Sequence, residues 1–382
     1  MDGGIGSLCQ GMINCKCKPT IFIQPMTKWG SCLNIGFHSN SLTLRGAEVA
    51  LFDYAYHNQA LLHNKSFVFY KKQLQSDSNV IAKFQQHFPV FGYESIEELE
   101  VLAKEHHLDL MYFIKSGERD SNILTGVPCA IHAVFPVAPD QFHGDRYAFV
   151  SQWLAKEYSN QKMPFVPHMI NLPEVAGDLR DQLHIPQSAI VLGCYGGSDS
   201  FNLTFVREVI LKVVQQRSDL YFIFMNITPF TSHERLLFLP GTADLHYKIQ
   251  FINTCDGMIH ARGIGESFGI ACGEFSIKGK PVITYAFSPQ RSHIEILGDK
   301  GIFYHGRKDL EQILLSFNRQ IQFQKSWDAY SEHFSPIAVM QKFNEVFIKG
   351  QPIPNIRFLD RVALRKYRFL RKFRHLRKKL YL

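Results

Sequence analysis

The stretch that most constrains this chain is residues 260–285, HARGIGESFGIACGEFSIKGKPVITY. It follows the apolar pair Met258 and Ile259, turns through Gly263 and Gly265, and passes Glu266, Ser267, Phe268 and Gly269 into a short helix ending near Lys278 and Gly279. Residues 281–285, PVITY, then read as a strand. Amides at the start of the helix, those of Gly269 and Ile270 among them, lack intrahelical acceptors, and the helix dipole there favours an anion such as phosphate. Glu274, eight residues after Glu266, can accept from a sugar hydroxyl of whatever carries that phosphate. The chemistry suggested is nucleotide recognition. The plainer alternative is a βαβ turn with one solvated and one capping Glu.

The same alternation runs along the rest of the chain. Residues 34–38 read as a buried first strand, followed by a loop over 39–46 and a helix over 47–58 that carries Val49, Leu51 and Phe52. Strands at 66–70, 108–114, 129–135 and 147–151 alternate with helices at 80–86, 96–106 and 152–158. Residues 164–173, PFVPHMINLP, are broken by three prolines and cannot be helical throughout, so a domain boundary is placed there. Beyond it come strands at 190–195, 220–225 and 302–304 and helices at 204–216, 246–253, 308–317 and 336–347. Such alternation argues for parallel, helix-covered sheets. With 382 residues, 46% of them hydrophobic, two domains can each bury a core. The expected division is an extension over 1–32, domains over 33–165 and 166–349, and a tail over 350–382.

Glu266, Phe268, Gly269 and Glu274, backed by Gly279, Lys280, Pro281, Val282 and Ile283, resemble the E-x7-E signature of retaining glycosyltransferases of the GT-B fold, in their GT4-like branch. Two Glu residues at this spacing are common in helical proteins; GESFG, then Glu, then GKPVI is far more specific. VSQWLAKEY followed by VPHMINLP is similar to the exit from the first domain in the same enzymes, so the resemblance covers residues 33–349. It implies an α/β protein with two Rossmann-like doubly wound domains facing each other across a cleft. It also implies a nucleotide-diphosphate sugar as donor, a glycan or lipid-linked hydroxyl acceptor, and retention of anomeric configuration. No cofactor is implied, and no D-x-D stands at a strand end to hold a metal.

By the same resemblance Glu274 holds the donor ribose, Glu266 faces the donor sugar, and Phe268, Gly269 and Ile270 supply amides to the diphosphate. Arg262, four residues before Glu266, either binds a phosphate oxygen or pairs with Glu266. Relatives place a basic pair in the first loop of the second domain. Here that loop is Gly196, Gly197, Ser198, Asp199, Ser200, Phe201 and Asn202, with neither base. Gly196 and Gly197 still permit close backbone approach and Ser198 offers a hydroxyl, but Asp199 has the wrong sign. Either Arg262 or Arg207 takes over the leaving-group charge, or the enzyme is slow or inactive. Arg45 and Gly46 sit where the family carries its first glycine loop, near phosphate and acceptor. His132 stands where such enzymes place a His facing the donor sugar, with hydrogen-bonded structural histidine as the alternative; His38 has a lesser claim.

The net charge of +8 belongs to the tail. Residues 356–382, apolar at both ends (Ile356, Leu382), hold eleven Lys or Arg against one Asp, which leaves residues 1–355 at −2. Phe358, Val362, Phe369, Phe373, Leu376 and Leu380 fall on one face of a helix whose remainder is basic. This describes an amphipathic helix for an anionic membrane surface, favoured over nucleic acid by its large aromatics. Eight Cys without a disulfide framework, and no signal peptide or apolar run of about 18 residues, make a reducing cytoplasm the expected compartment, with peripheral attachment to a membrane. Cys9, Cys15, Cys17 and Cys32 lack C-x2-C pairing and a nearby His, so a zinc site is not expected.

Overall fold

The structure is a computed structural model that describes residues 32–351 together with 353, 362, 365, 366, 369 and 370. The expected N-terminal extension, with Cys9, Cys15 and Cys17, and most of the basic tail lie outside the described residues.

Two six-stranded sheets, all of whose pairings are parallel, organise the described chain. The first holds β1 (Asn34–His38), β2 (Lys65–Lys71), β3 (Val90–Tyr93), β4 (Leu110–Lys115), β5 (Cys129–Ala133) and β6 (Arg146–Phe149) in the order β3-β2-β1-β4-β5-β6. The second holds β7 (Ile190–Tyr195), β8 (Leu220–Met225), β9 (Leu236–Leu239), β10 (Gly257–Ile259), β12 (Val282–Tyr285) and β14 (Gly301–Tyr304) in the order β14-β12-β10-β7-β8-β9. Two short strands, β11 (Gly265–Glu266) and β13 (Gln290–Arg291), pair with each other outside the sheets. Covered on both faces, a central strand such as β4, LMYFIK, reads as an unbroken buried run. The edge strands β3 and β9 escape sequence reading because they are short and only partly buried.

Helix starts divide into two kinds. Asp77, Ser95, Ser151, Asp244, Asn318 and Ser335 each cap a helix with a side-chain oxygen. The helices Gly46–Ala60, Thr204–Gln216 and Ile270–Ile277 begin without any side-chain cap, as do Ser292–Leu297 and Arg307–Ser316.

The halves are tied together by the chain's return. The helix Pro336–Phe343 packs on Gly46–Ala60, with Phe343 stacked on Tyr54 at 5.3 Å and Phe37 at 6.1 Å. The helix expected over 336–347 changes pitch at its end, where residues 344–348 form a π turn lying against β6. The Tyr54 hydroxyl donates to Pro167 O at 2.7 Å, fixing the connector to the first half. The helix Gln152–Ser159 packs against Ser292–Leu297 of the second half.

Candidate functional site

Two glycines shape the turn that carries Glu266. Gly265 has φ +76°, and a β-carbon there would stand 2.1 Å from Gln290 O, so the approach of β11 to β13 requires glycine. Gly269 has φ +97° and caps Ile270–Ile277; a β-carbon there would stand 2.9 Å from His293 Cβ. The Phe268 side chain between them is 2% exposed and packs edge-on against His168 (5.4 Å), Phe334 (5.3 Å) and Tyr330 (6.0 Å). This ring anchors the loop to the connector and to the returning C-terminal segment, and so leaves the uncapped amides of the helix in a fixed place. A β-carbon on Gly46 would lie 3.5 Å from Ile270 Cδ1, so the uncapped start of the helix Gly46–Ala60 lies against the first residue of Ile270–Ile277.

Glu266 is an anion with both oxygens engaged. Oε2 accepts from Arg262 Nη1 at 2.8 Å and Oε1 from His260 Nε2 at 3.2 Å. Burial by itself raises the carboxyl pKa, but the His260 hydrogen bond and then the Arg262 charge outweigh it and hold the group down to about 2. Arg262 therefore pairs with Glu266, and it makes no other ion pair among the described residues.

Glu274 is 4% exposed, and its Oε1 accepts from Lys248 Nζ at 2.6 Å, whereas Oε2 is buried with no partner. Burial, then the Asp53 carboxylate of the first half, push its pKa well up, and burial brings Lys248 down to about 8. The Lys248 ammonium lies 5.8 Å from the centre of the Tyr195 ring, whose hydroxyl is also buried without a partner. Lys248 and Asp53 escape sequence reading: neither belongs to a motif, and only the tertiary approach of three separate helices brings them to Glu274.

The loop after β7 is a hydrogen-bonded turn. The Ser200 amide and hydroxyl donate to Gly197 O at 2.8 and 2.7 Å, Gly196 O accepts from Asn226 Nδ2 at 2.7 Å, and Ser198 O accepts from the Thr228 amide at 2.9 Å. Ser198 and Asp199 are exposed. Arg207 is pinned by Nε to Phe201 O at 2.9 Å, with its guanidinium 5.0 Å from the centre of the Phe230 ring. Of the two arginines the sequence offers for leaving-group charge, Arg262 stands beside Glu266 and Arg207 is engaged elsewhere.

In the first half, Arg45 and Gly46 are exposed. Glu48, in the first turn of the helix Gly46–Ala60, is buried and accepts from Ser39 Oγ at 3.0 Å and Thr43 Oγ1 at 3.2 Å, holding the loop onto the helix. His132 makes the hydrogen bonds of the structural alternative. Its Nε2 meets Val166 O at 2.8 Å; a carbonyl only accepts, so that nitrogen carries the proton and Nδ1 accepts the Tyr112 hydroxyl at 2.6 Å. The ring is 0% exposed, burial holds its pKa down to about 3, and neither nitrogen is open to a ligand. His132 ties β5 to β4 and to the connector. His38 bonds Tyr93 through Nε2 at 2.8 Å and is likewise held down to about 3 by burial.

Of the tail, residues 362, 365, 366, 369 and 370 are helical; Val362 and Phe369 are 75% and 63% exposed, and Lys366 pairs with Glu157 at 3.5 Å. No described helix is long and apolar enough to cross a membrane. Among the described residues no cluster of three or more His, Cys, Asp or Glu could hold a metal ion.

Paired six-stranded parallel sheets, a proline-broken connector and a terminal helix returning to the first sheet define the GT-B fold. Among solved structures, the chain is similar to Anabaena HepE in complex with UDP and glucose, with TM-score 0.63 and 17% identity over 83% of this chain and 100% of that one. It is similar also to WaaG, a glycosyltransferase involved in lipopolysaccharide biosynthesis (TM-score 0.60, 12% identity, 82% and 99% covered). The S. aureus MnaA–UDP structure is a further likeness (TM-score 0.56, 11% identity, 84% and 99% covered). No protein-family model matches the chain, and no curated protein is similar to it in sequence.

Proposed function

We infer that this protein transfers a sugar from a nucleotide-diphosphate donor to a hydroxyl acceptor, with retention of configuration. The observation that carries this reading is the pair of buried, partnerless oxygens on Glu274 and Tyr195, two side chains that both approach Lys248. A buried polar atom without a partner costs about 1–3 kcal/mol, which a ribose hydroxyl donating to Glu274 relieves. The diphosphate then meets the uncapped amides at Gly269 and Ile270, with Gly196, Gly197 and Ser198 along its flank. As the glycosidic bond breaks, its electron pair leaves with the diphosphate, and Arg262 and the helix start meet that charge. The acceptor hydroxyl attacks from the same face and its proton passes to the departing phosphate oxygen, while Glu266 orients the sugar. Arg45 and Gly46 face phosphate and acceptor from the first half. We place the leaving-group charge on side chains and amides, so transfer persists in EDTA.

UDP-glucose is the first donor to test, because HepE was crystallised with UDP and glucose. Incubation of purified protein with it should release UDP, Glu274→Ala should abolish the release, and product anomers followed by NMR should retain configuration. Failure of every nucleotide and nucleotide sugar in a panel to shift the melting temperature sinks the reading. Binding without turnover favours a second reading, a non-catalytic nucleotide or glycan binder, which the base-free loop at 196–202 and the pinned Arg207 support. The acceptor is a glycan or a lipid-linked hydroxyl at an anionic membrane surface met by residues 356–382. Removing those residues should abolish sedimentation with phosphatidylserine vesicles and spare donor binding.

A further inference from the structure

Behind Glu266 runs a hydrogen-bonded chain of three residues, His260, Thr284 and His293, to which the signature assigns no role. Parallel pairing of Ile259 with Ile283 brings the next residues of the two strands, His260 and Thr284, side by side. His260 Nδ1 lies 2.9 Å from Thr284 Oγ1, and Thr284 Oγ1 lies 3.1 Å from His293 Nε2. His260 and His293 are 4% and 0% exposed, Thr284 is 0% exposed, and the Tyr304 hydroxyl fixes the strand end by donating to His260 O at 2.9 Å.

Proton positions follow from the two ends of the chain. Ionised Glu266 only accepts, so His260 Nε2 carries a proton. Buried His293 Nδ1 has no acceptor, so the His293 proton sits on Nε2 and donates to the Thr284 oxygen; the Thr284 hydroxyl proton then goes to His260 Nδ1, a lone pair. The one atom of the chain left without a partner is His293 Nδ1, a lone pair on a ring that burial keeps neutral. His293 also meets the phosphate end of the site, since its Cβ is what a β-carbon on Gly269 would strike.

We propose that His260, Thr284 and His293 form a positioning relay that fixes the Glu266 carboxylate, with His260 held as its Nε2–H tautomer and His293 as the common backstop for Glu266 and Gly269. Each Glu266 oxygen accepts one internal hydrogen bond and keeps a second lone pair for a donor-sugar hydroxyl, so the relay sets the direction in which that hydroxyl is received. The significance for the sugar rests on the reading above; the tautomer does not. The other titratable or charged groups around Glu266 are Arg262, Cys194 of β7, Cys272 of the Ile270–Ile277 helix and Tyr330; Arg291 of β13 stands near His293.

The test pairs Thr284→Val, which removes the hydroxyl and keeps the shape, with Thr284→Ser, which keeps the hydroxyl. Imidazole 15N shifts should assign the Nε2–H tautomer to His260 in the wild type and in Thr284→Ser, and a tautomer mixture in Thr284→Val. UDP should bind all three equally, while UDP-glucose loses about tenfold in affinity only in Thr284→Val, the scale of one misdirected hydrogen bond. A wild-type His260 in the Nδ1–H form, or a Thr284→Val protein with unchanged tautomer and unchanged UDP-glucose affinity, overturns the relay. A wild type that binds neither ligand overturns the donor site instead, and the 15N assignment still decides the relay. If Thr284→Val fails to fold, the wild-type tautomer and the Thr284→Ser affinities decide the same question.

Discussion

At the carboxyl edge of the first sheet the buried polar groups largely close on one another, whereas at that of the second they are held by one side and open on the other. His132 ends on Tyr112 and a carbonyl, and Lys115 on Asp120 at 2.7 Å and Asn122 O at 3.2 Å. What remains without a partner there is Asn40 Oδ1 and one ring nitrogen each of His38 and His143, whose pKa burial lowers. In the second sheet's edge, Glu274 keeps one oxygen and Tyr195 a hydroxyl without partners. The two halves share a strand order, so the difference lies in side chains and in the added β11–β13 pair of the second half: one edge is built as a wall and the other as a receptor.

The largest effect that sharpens this contrast is expected from Glu274→Ala. Losing the hydrogen bond to the ribose and leaving that hydroxyl buried without a partner should weaken UDP by about a hundredfold, on the order of 3 kcal/mol, measured by calorimetric titration. An unchanged affinity makes the second edge no more a receptor than the first. Gly269→Ala comes next. A side chain at φ +97° with His293 in its way should cost about 1–3 kcal/mol in urea unfolding and weaken UDP as the helix start shifts. His132→Phe tests the wall. It should cost about 1–3 kcal/mol, because the Tyr112 hydroxyl and Val166 O lose their partner, and leave UDP and UDP-glucose affinity within about twofold. A loss of sugar transfer without a loss of stability would return His132 to the donor face.

The difference between wall and receptor also marks where sequence reading stops. Strands β1, β7 and β8 and the helices after β1 and β7 follow from unbroken apolar runs and helical periodicity, which are local. Glu266, Gly269 and Glu274 stand out by spacing. Whether a histidine is a wall or a tool is not local: His132 and His260 both end buried strands, and only the partner across the fold separates a carbonyl from a carboxylate. His260 and Thr284 had a usable signal, two polar residues one position past paired apolar ones in neighbouring parallel strands. Lys248 had none, because its meeting with Glu274 depends on how two helices pack.

The smallest effect is a slope, and it separates the two edges by pH. His38 and His132 are held down to about 3 from an ordinary 6.5, so below 6.5 the unfolded chain binds protons that the folded chain refuses. Stability therefore falls as pH drops from 6.5 toward 3, by about one proton per such histidine in the slope. Burial lowers His57, His143, His168 and His293 too, so the wild-type slope is a sum and the informative quantity is a difference. His132→Phe should reduce the slope between pH 6.5 and 4.5 by about one proton, measured from urea unfolding at stepped pH. Glu266, held down to about 2 from 4.5, acts lower: its stabilisation is complete above 4.5 and is lost as pH falls toward 2. Glu266→Gln should leave the upper window alone and flatten only the lower one. If His132→Phe leaves the upper slope unchanged, His132 titrates as a solvent-facing histidine does, and the first edge is open to ligand after all.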